Sequence, residues 1–260
     1  MNMLDTQNDL LRRIAPRYGV VLENLSAGMD GAHVHRAPND TVLVYTGLPT
    51  PLFNTVVSSL PEPDADEMAE AAAFLAGKGA PWSLVVHGVP DPDTARLAIE
   101  HGLTVSVREP LMILPPDAQV PSRPVDHEAR IRTLSAPDLD LYVDTLAAGN
   151  EEPRLGYTPF AGPFVPRIPG TTLHLAEIDG VAVGTGYLDV SGDIAGIWAI
   201  TTLPAYRRRG VGRLMTEELV RLAREAGAST VFLYASDMGK PIYASVGFRS
   251  EEFLTVLVAP

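Results

Sequence analysis

The chain has 260 residues, 46% hydrophobic and 20% charged, with a formal net charge of -12 and no cysteine. That length fits one large domain or two ordinary ones and supplies ample core material. The acidity argues against nucleic acid as a partner, and the missing cysteine excludes disulfides, thiolate metal sites and cysteine nucleophiles. The opening MNMLDTQNDLLRR lacks the apolar segment of a secretory signal, and no apolar run reaches the length of a membrane span. The expectation is a cytoplasmic protein with no membrane association, acting as a monomer or homodimer.

In chain order, residues 4–18 suit a short helix and residues 42–45 a strand. Residues 64–76 read as a helix: Asp64 and Asp66 stand near its start, and Met68, Ala71, Ala72 and Leu75 form a helical stripe. Residues 82–87 form an apolar strand. Residues 93–101 form a second helix stopped by Gly102, and residues 112–114 a short strand. Pro115, Pro116, Pro121 and Pro124 then crowd ten residues, which suits neither helix nor sheet interior. The expected division is therefore 1–118, a linker over 119–127, and 128–260. Charge divides unevenly across His127: 16 acids and 8 bases before and including it, 16 acids and 12 bases after it, balances of -8 and -4 that sum to -12.

The second half opens with a short strand at Ile131 and a helix over 136–147, with Pro137 in its first turn. Residues 150–170 are rich in Pro and Gly and read as a loop. Residues 172–177 and 181–188 flank Asp179-Gly180 and predict a hairpin, and residues 194–201 a third strand. Then comes Leu203-Pro204-Ala205-Tyr206-Arg207-Arg208-Arg209-Gly210-Val211-Gly212-Arg213, leading into a helix that ends near Glu225. Gly210 and Gly212 let the backbone approach a ligand, and first-turn N–H groups with the helix dipole favour an anion. By itself the Gly-x-Gly also fits a plain tight turn. It lacks the Gly-Lys-Ser/Thr ending of a P-loop and the third glycine of a dinucleotide site. Residues 230–235 form a further strand. Ser236 and Pro241 lead into a short helix bearing Tyr243 and ended by Gly247-Phe248, and residues 253–258 form the last strand.

These two segments, in this order, resemble the GNAT superfamily of N-acetyltransferases. Arg207-x-x-Gly210-x-Gly212 meets that family's pyrophosphate motif, and Tyr243 with Gly247-Phe248 meets its C-terminal signature. The resemblance is strong over residues 196–248. It implies an α/β (α+β) fold with a mixed central sheet flanked by helices, and acetyl-CoA or another short acyl-CoA as cosubstrate, without metal. It implies cofactor contacts from Ile200, Thr201, Thr202, Arg207, Arg208, Arg209, Gly210, Val211, Gly212, Arg213, Ser236 and Tyr243. Tyr243 takes the place of the acid that protonates the departing thiolate. Glu151 and Glu152 fall where family members often contact the acceptor, and are the preferred candidates to deprotonate a small-molecule or peptide amine. Glu177 and Asp189 are further candidates.

The first half echoes the same order of helix, strand, helix and Gly102, without a Gly-x-Gly or a tyrosine in the second helix. It is expected to be a degenerate, non-catalytic copy in a tandem arrangement; an unrelated small α/β domain is the other possibility. A non-catalytic acyl-CoA-binding module or a regulatory interaction protein is the alternative for the whole chain. His33 and His35 share a strand face but lack a third ligand for zinc.

Overall fold

The computed structural model describes residues 3–118 and 128–260, with side chains from Asn8 onward. The expected linker 119–127 lies outside the described residues. In chain order the elements are α1 (Met3–Ile14), α2 (Pro16–Ser26), β1 (His33–Arg36), β2 (Thr41–Tyr45), β3 (Asn54–Ser58), α3 (Ala65–Ala76), β4 (Ser83–His87), α4 (Pro92–Glu100) and β5 (Val105–Leu114). There follow β6 (Arg130–Thr133), α5 (Leu139–Asn150), β7 (Thr171–Ile178), β8 (Val181–Ser191), β9 (Ile194–Thr202), α6 (Val211–Glu225), β10 (Thr230–Tyr234), α7 (Lys240–Val246) and β11 (Arg249–Val258).

Two compact units emerge, Met1–Glu109 with Glu252–Pro260, and Pro110–Glu251. Each takes a strand from the far half of the sequence. In the first, β1, β2 and β3 are antiparallel neighbours, β3 runs parallel to β4, and β11 pairs antiparallel with β4 from Leu254↔His87 to Val258↔Ser83. In the second, β6, β7, β8 and β9 follow one another antiparallel, β9 runs parallel to β10, and β10 pairs with the end of β5 from Val231↔Leu114 to Tyr234↔Leu111. Each unit is thus a mixed sheet flanked by helices.

Local chemistry explains most boundaries. Asp64 caps α3 by accepting the Glu67 N–H at 3.0 Å. Asp91 caps α4 through the Asp93 and Thr94 N–H groups. The β7–β8 turn needs positive φ at both Asp179 (51°) and Gly180 (79°), as a two-residue hairpin does. In α6, Val211, Leu214, Met215, Leu219, Val220 and Ala223 are buried on one face. They lie over β8 so closely that a Cβ at Gly186 would come within 2.7 Å of the Met215 sulfur.

Several elements differ from the sequence reading. The helix expected at 4–18 is two helices, because Pro16 has no N–H to continue α1 and instead starts α2. The helix expected from Ala136 begins with a 3-10 turn at Pro137 and becomes α-helical only at Leu139. Strand β3 carries a short apolar core behind a proline turn. Strand β5 starts at Val105, because its exposed first half gives no apolar run to read.

Candidate functional site

The site lies within the second unit. Strands β9 and β10 pair in parallel at Thr230↔Ile194, Val231↔Ala195 and Phe232↔Gly196. Beyond Gly196 that ladder stops, while β9 continues to Thr202. The last six residues of β9 therefore turn one edge to an opening between parallel strands. An irregularity shapes the same stretch. Thr185 faces Thr201 and Tyr187 faces Trp198, so Ala199 and Ile200 stand opposite the single residue Gly186. This is a β-bulge. Ala199 takes φ 51°, a left-handed conformation that costs a non-glycine residue about 1–3 kcal/mol. Thr185, fully buried, donates its hydroxyl to the Ala199 carbonyl at 2.7 Å.

Past β9, a proline turn over Pro204–Tyr206 delivers the chain to α6. Arg208 has φ 66° and Gly210, the residue before the helix, φ 81°. These conformations fold the loop back over the helix start. No side chain caps α6 among the described residues, which leaves its first N–H groups for a ligand or water. Gly212 is helical, and a Cβ there would meet Ile242 and Thr202 at 3.7 Å, ordinary contact distances. The protein itself therefore leaves room for a methyl group at Gly212. Only a bound ligand could demand glycine there.

The arginines are mostly engaged with the protein. Arg207 donates to the Gly149 carbonyl at 2.8 Å and the Thr202 carbonyl at 3.3 Å, and pairs with Glu151 at 2.8 Å. It straps the end of α5 to the end of β9. The approach there is close: a Cβ at Gly149 would sit 2.2 Å from the Thr201 hydroxyl. Arg209 forks onto Glu128 at 2.8 and 2.7 Å and lies over the Tyr206 ring. Arg213 pairs with Glu217 at 2.8 Å. Arg208 is exposed, with no ion pair among the described residues.

Helix α7 lies beside the start of α6, with Ile242 3.7 Å from the place of a Cβ at Gly212. Ser236 accepts the Gly239 N–H at its hydroxyl and the Lys240 N–H at its carbonyl, starting the helix. The Tyr243 ring lies against Gly239, where a Cβ would come within 2.7 Å of it. Tyr243 is 8% exposed, and burial pushes its phenol up to about 12. Gly247, at φ 112°, ends the helix, and Phe248 packs edge-on to Tyr243.

The acidic candidates separate. Glu151, at φ 59°, ends α5 and is tied to Arg207. Glu152 is exposed and close enough to Tyr157 to help raise its phenol, after burial. Glu177 is bound to Arg132 at 2.7 Å, and Asp189 is buried on β8. Phe160, in the stretch 150–170 that reads as a loop, packs into the core against Tyr142 and Tyr187. Sequence reasoning missed Thr185, Gly149 and Gly239. Only the glycines carried a signal, and it was indistinct among 22 glycines. His33 stacks on Phe74, and no cluster of three metal-ligating side chains occurs among the described residues. No helix among them is long and apolar enough to cross a membrane.

Comparison with known proteins agrees with this geometry. Residues 141–248 match the acetyltransferase (GNAT) family. A Bacillus subtilis protein named as a candidate acetyltransferase is 32% identical over 91 residues, covering 32% of this chain and 62% of that relative. The chain thus spans under two thirds of the relative's length. Among solved structures, a GCN5-related N-acetyltransferase from Kribbella flavida superposes with a TM-score of 0.65 at 22% identity, over 95% of this chain and 96% of that one. Another from Sphaerobacter thermophilus gives 0.58 at 14% identity, over 85% and 82%. With parallel strands that part beside an uncapped helix, the chain has the fold of the GNAT-superfamily acetyltransferases.

Proposed function

We propose that the chain transfers an acetyl or other short acyl group from acyl-CoA to a primary amine of a small molecule or peptide, by direct attack of the amine on the thioester. The observation that carries this reading is the parting of β9 from β10 beyond Gly196, beside the uncapped start of α6. The N–H groups of Val211, Gly212 and Arg213, with the loop Arg208–Gly210, would hold the pyrophosphate. The backbone of Ile200, Thr201 and Thr202 would hold pantetheine. Arg207 and Arg209 act in this reading as struts for the loop rather than as phosphate ligands, and Ser236 as the cap that sets α7.

Burial keeps Tyr243 neutral at working pH. The thiolate of a thiol with pKa about 8.5 is a weaker base than this phenolate. Tyr243 therefore stabilises the departing sulfur by donating a hydrogen bond while keeping its proton, and CoA leaves as the thiolate. The attacking amine must first lose a proton. Glu152 suits that role better than Glu151, whose carboxylate already balances Arg207.

In the first half of the sequence, the order β1-β2-β3-α3-β4-α4-β5 matches β7-β8-β9-α6-β10-α7-β11 in the second half. Its parallel pair stays closed, with four consecutive partners from Thr55↔Ser83 to Ser58↔Val86. This supports a tandem arrangement whose N-terminal copy binds no acyl-CoA. Calorimetry with acetyl-CoA, followed by thiol release across amino acids, polyamines and peptide N-termini, tests the function. Binding and turnover are expected. Tight binding without turnover on any amine would favour a non-catalytic acyl-CoA-binding module, and no binding would overturn the reading.

A further inference from the structure

We propose that Thr185 is a positioning residue for acyl transfer: its hydroxyl locks the β9 bulge and so aims the backbone of residues 198–200 into the opening between β9 and β10. This rests on the acyl-transfer reading above. The bulge removes Ala199 from the ladder, since two residues of β9 oppose Gly186 alone. A carbonyl so displaced loses its regular partner, and a buried backbone carbonyl needs one. Thr185 supplies it at 2.7 Å from a position with no solvent exposure. That bond holds the left-handed turn at Ala199, a residue with no intrinsic preference for it.

The surroundings explain why threonine does this. Strand β8 alternates: Gly184 and Gly186 face α6, where added side chains would strike Val211 and Met215. Thr185 and Tyr187 face the other way, toward α5 and its fully buried Tyr142. Thr185 packs on this crowded face, and its hydroxyl reaches the Ala199 carbonyl on the neighbouring strand β9. The bulge lies immediately beyond the last paired residues of β9 and β10, where a thioester carbonyl would meet strand backbone. A regular ladder at Ala199 would turn those backbone groups back toward β8.

The test needs no knowledge of the acceptor. Acetyl-CoA carrying 13C at the acetyl carbonyl is bound to the full chain, and the carbonyl stretch is read by isotope-edited infrared difference spectroscopy. In the unsubstituted protein the stretch should move to lower frequency than in free acetyl-CoA, the signature of backbone N–H groups polarising it. Thr185→Val should bind acetyl-CoA within about threefold of the unsubstituted affinity, because the α6 nest is untouched, but should lose most of the shift. Thr185→Ser should keep it, and Thr185→Cys, a weak donor, should fall between. If Thr185→Val does not fold, the Ser–Cys difference decides. A full shift in the folded Val variant, or equal shifts in Ser and Cys, would overturn the positioning role while leaving acyl-CoA binding standing. Failure of the unsubstituted protein to bind acetyl-CoA would overturn the acyl-transfer reading itself.

Discussion

Stability and affinity should move in opposite directions at Gly212. The residue sits in the first turn of α6 with ordinary helical geometry, and a methyl group there would touch only Ile242 and Thr202, at 3.7 Å. Gly212→Ala should therefore stabilise the free protein by about 0.4–1 kcal/mol, through reduced freedom of the unfolded chain. That corresponds to a rise of roughly 1–4 °C in Tm. If the first-turn N–H groups cradle a pyrophosphate, the same methyl crowds the ligand, and CoA affinity falls. Gly212→Glu adds a charge as well. One like-charge pair about 5 Å apart, at an effective dielectric near 20, costs about 3 kcal/mol, or about two powers of ten in Kd. Calorimetric titration of CoA into each variant, with Tm measured without ligand, checks both signs. A folded Gly212→Glu variant that binds CoA as tightly as the unsubstituted protein would refute the placement of the nest. Arg207, Arg209 and Arg213 already carry acidic partners, so the salt dependence of binding should rest chiefly on Arg208. Arg208→Ala should flatten it.

Tyr243→Phe should lower kcat by about 10²-fold, toward the lower end for general acids, with little change in acyl-CoA affinity; single-turnover kinetics checks this. The Tyr243 phenol is raised by burial to about 12, so the folded state holds its proton more tightly than the unfolded state, whose value is near 10. Its contribution to stability is present below pH 10 and is lost as pH climbs toward 12, and the activity profile should show no loss of this acid below pH 10. Burial lowers His174 to about 4, the largest cause, and likewise His87. Depressed histidines favour folding above their unfolded value near 6.5, and that stability drains as pH falls from 6.5 through 4. Urea midpoints should drop across that window, and the His174 ring resonances should not titrate between pH 5.5 and 8. Glu152→Gln should cut kcat at saturating amine by tenfold or more and Glu151→Gln by less than threefold. Arg207→Ala should destabilise the fold by about 1–3 kcal/mol, since two carbonyls and a carboxylate lose their donor.

What the sequence disclosed was local. Asp64, Gly102 and Asp179-Gly180 each act within a few residues of themselves, and each marked its element's end to within two residues. The glycine-bearing helix start and the tyrosine helix were legible for the same reason. What stayed hidden depends on partners far away along the chain. Arg207 reaches Gly149 across 58 residues and Arg209 reaches Glu128 across 81. The sequence therefore offered four free arginines where the fold provides one. Glu151 and Glu152 are equivalent as text, and only the Arg207 bridge distinguishes them. The bulge was invisible because alanine, not glycine, occupies the left-handed position and the residue that holds it lies on another strand.

The same long-range dependence decides whether either half can stand alone. A fragment of residues 128–260 retains α6, α7 and the parting strands but leaves β10 without β5. Four residues of β5 pair with β10, and Leu111, Met112, Ile113 and Leu114 are all at most 6% exposed. At about 1.5–3 kcal/mol for each buried side chain, removing them forfeits roughly 6–12 kcal/mol, an upper bound because the unfolded chain is itself partly compact. That is comparable to the roughly 5–15 kcal/mol total of an ordinary domain, and it exposes an apolar strand edge besides. The complementary fragment, 1–118, loses β11 with its buried Leu254 and Leu257 from the edge of β4. Neither fragment should show cooperative thermal unfolding or near-ultraviolet circular dichroism when expressed alone. Mixing them should restore both signals, because each returns the strand that the other lacks. A 128–260 fragment that unfolds cooperatively at the temperature of the full chain would show that the exchanged strands contribute little.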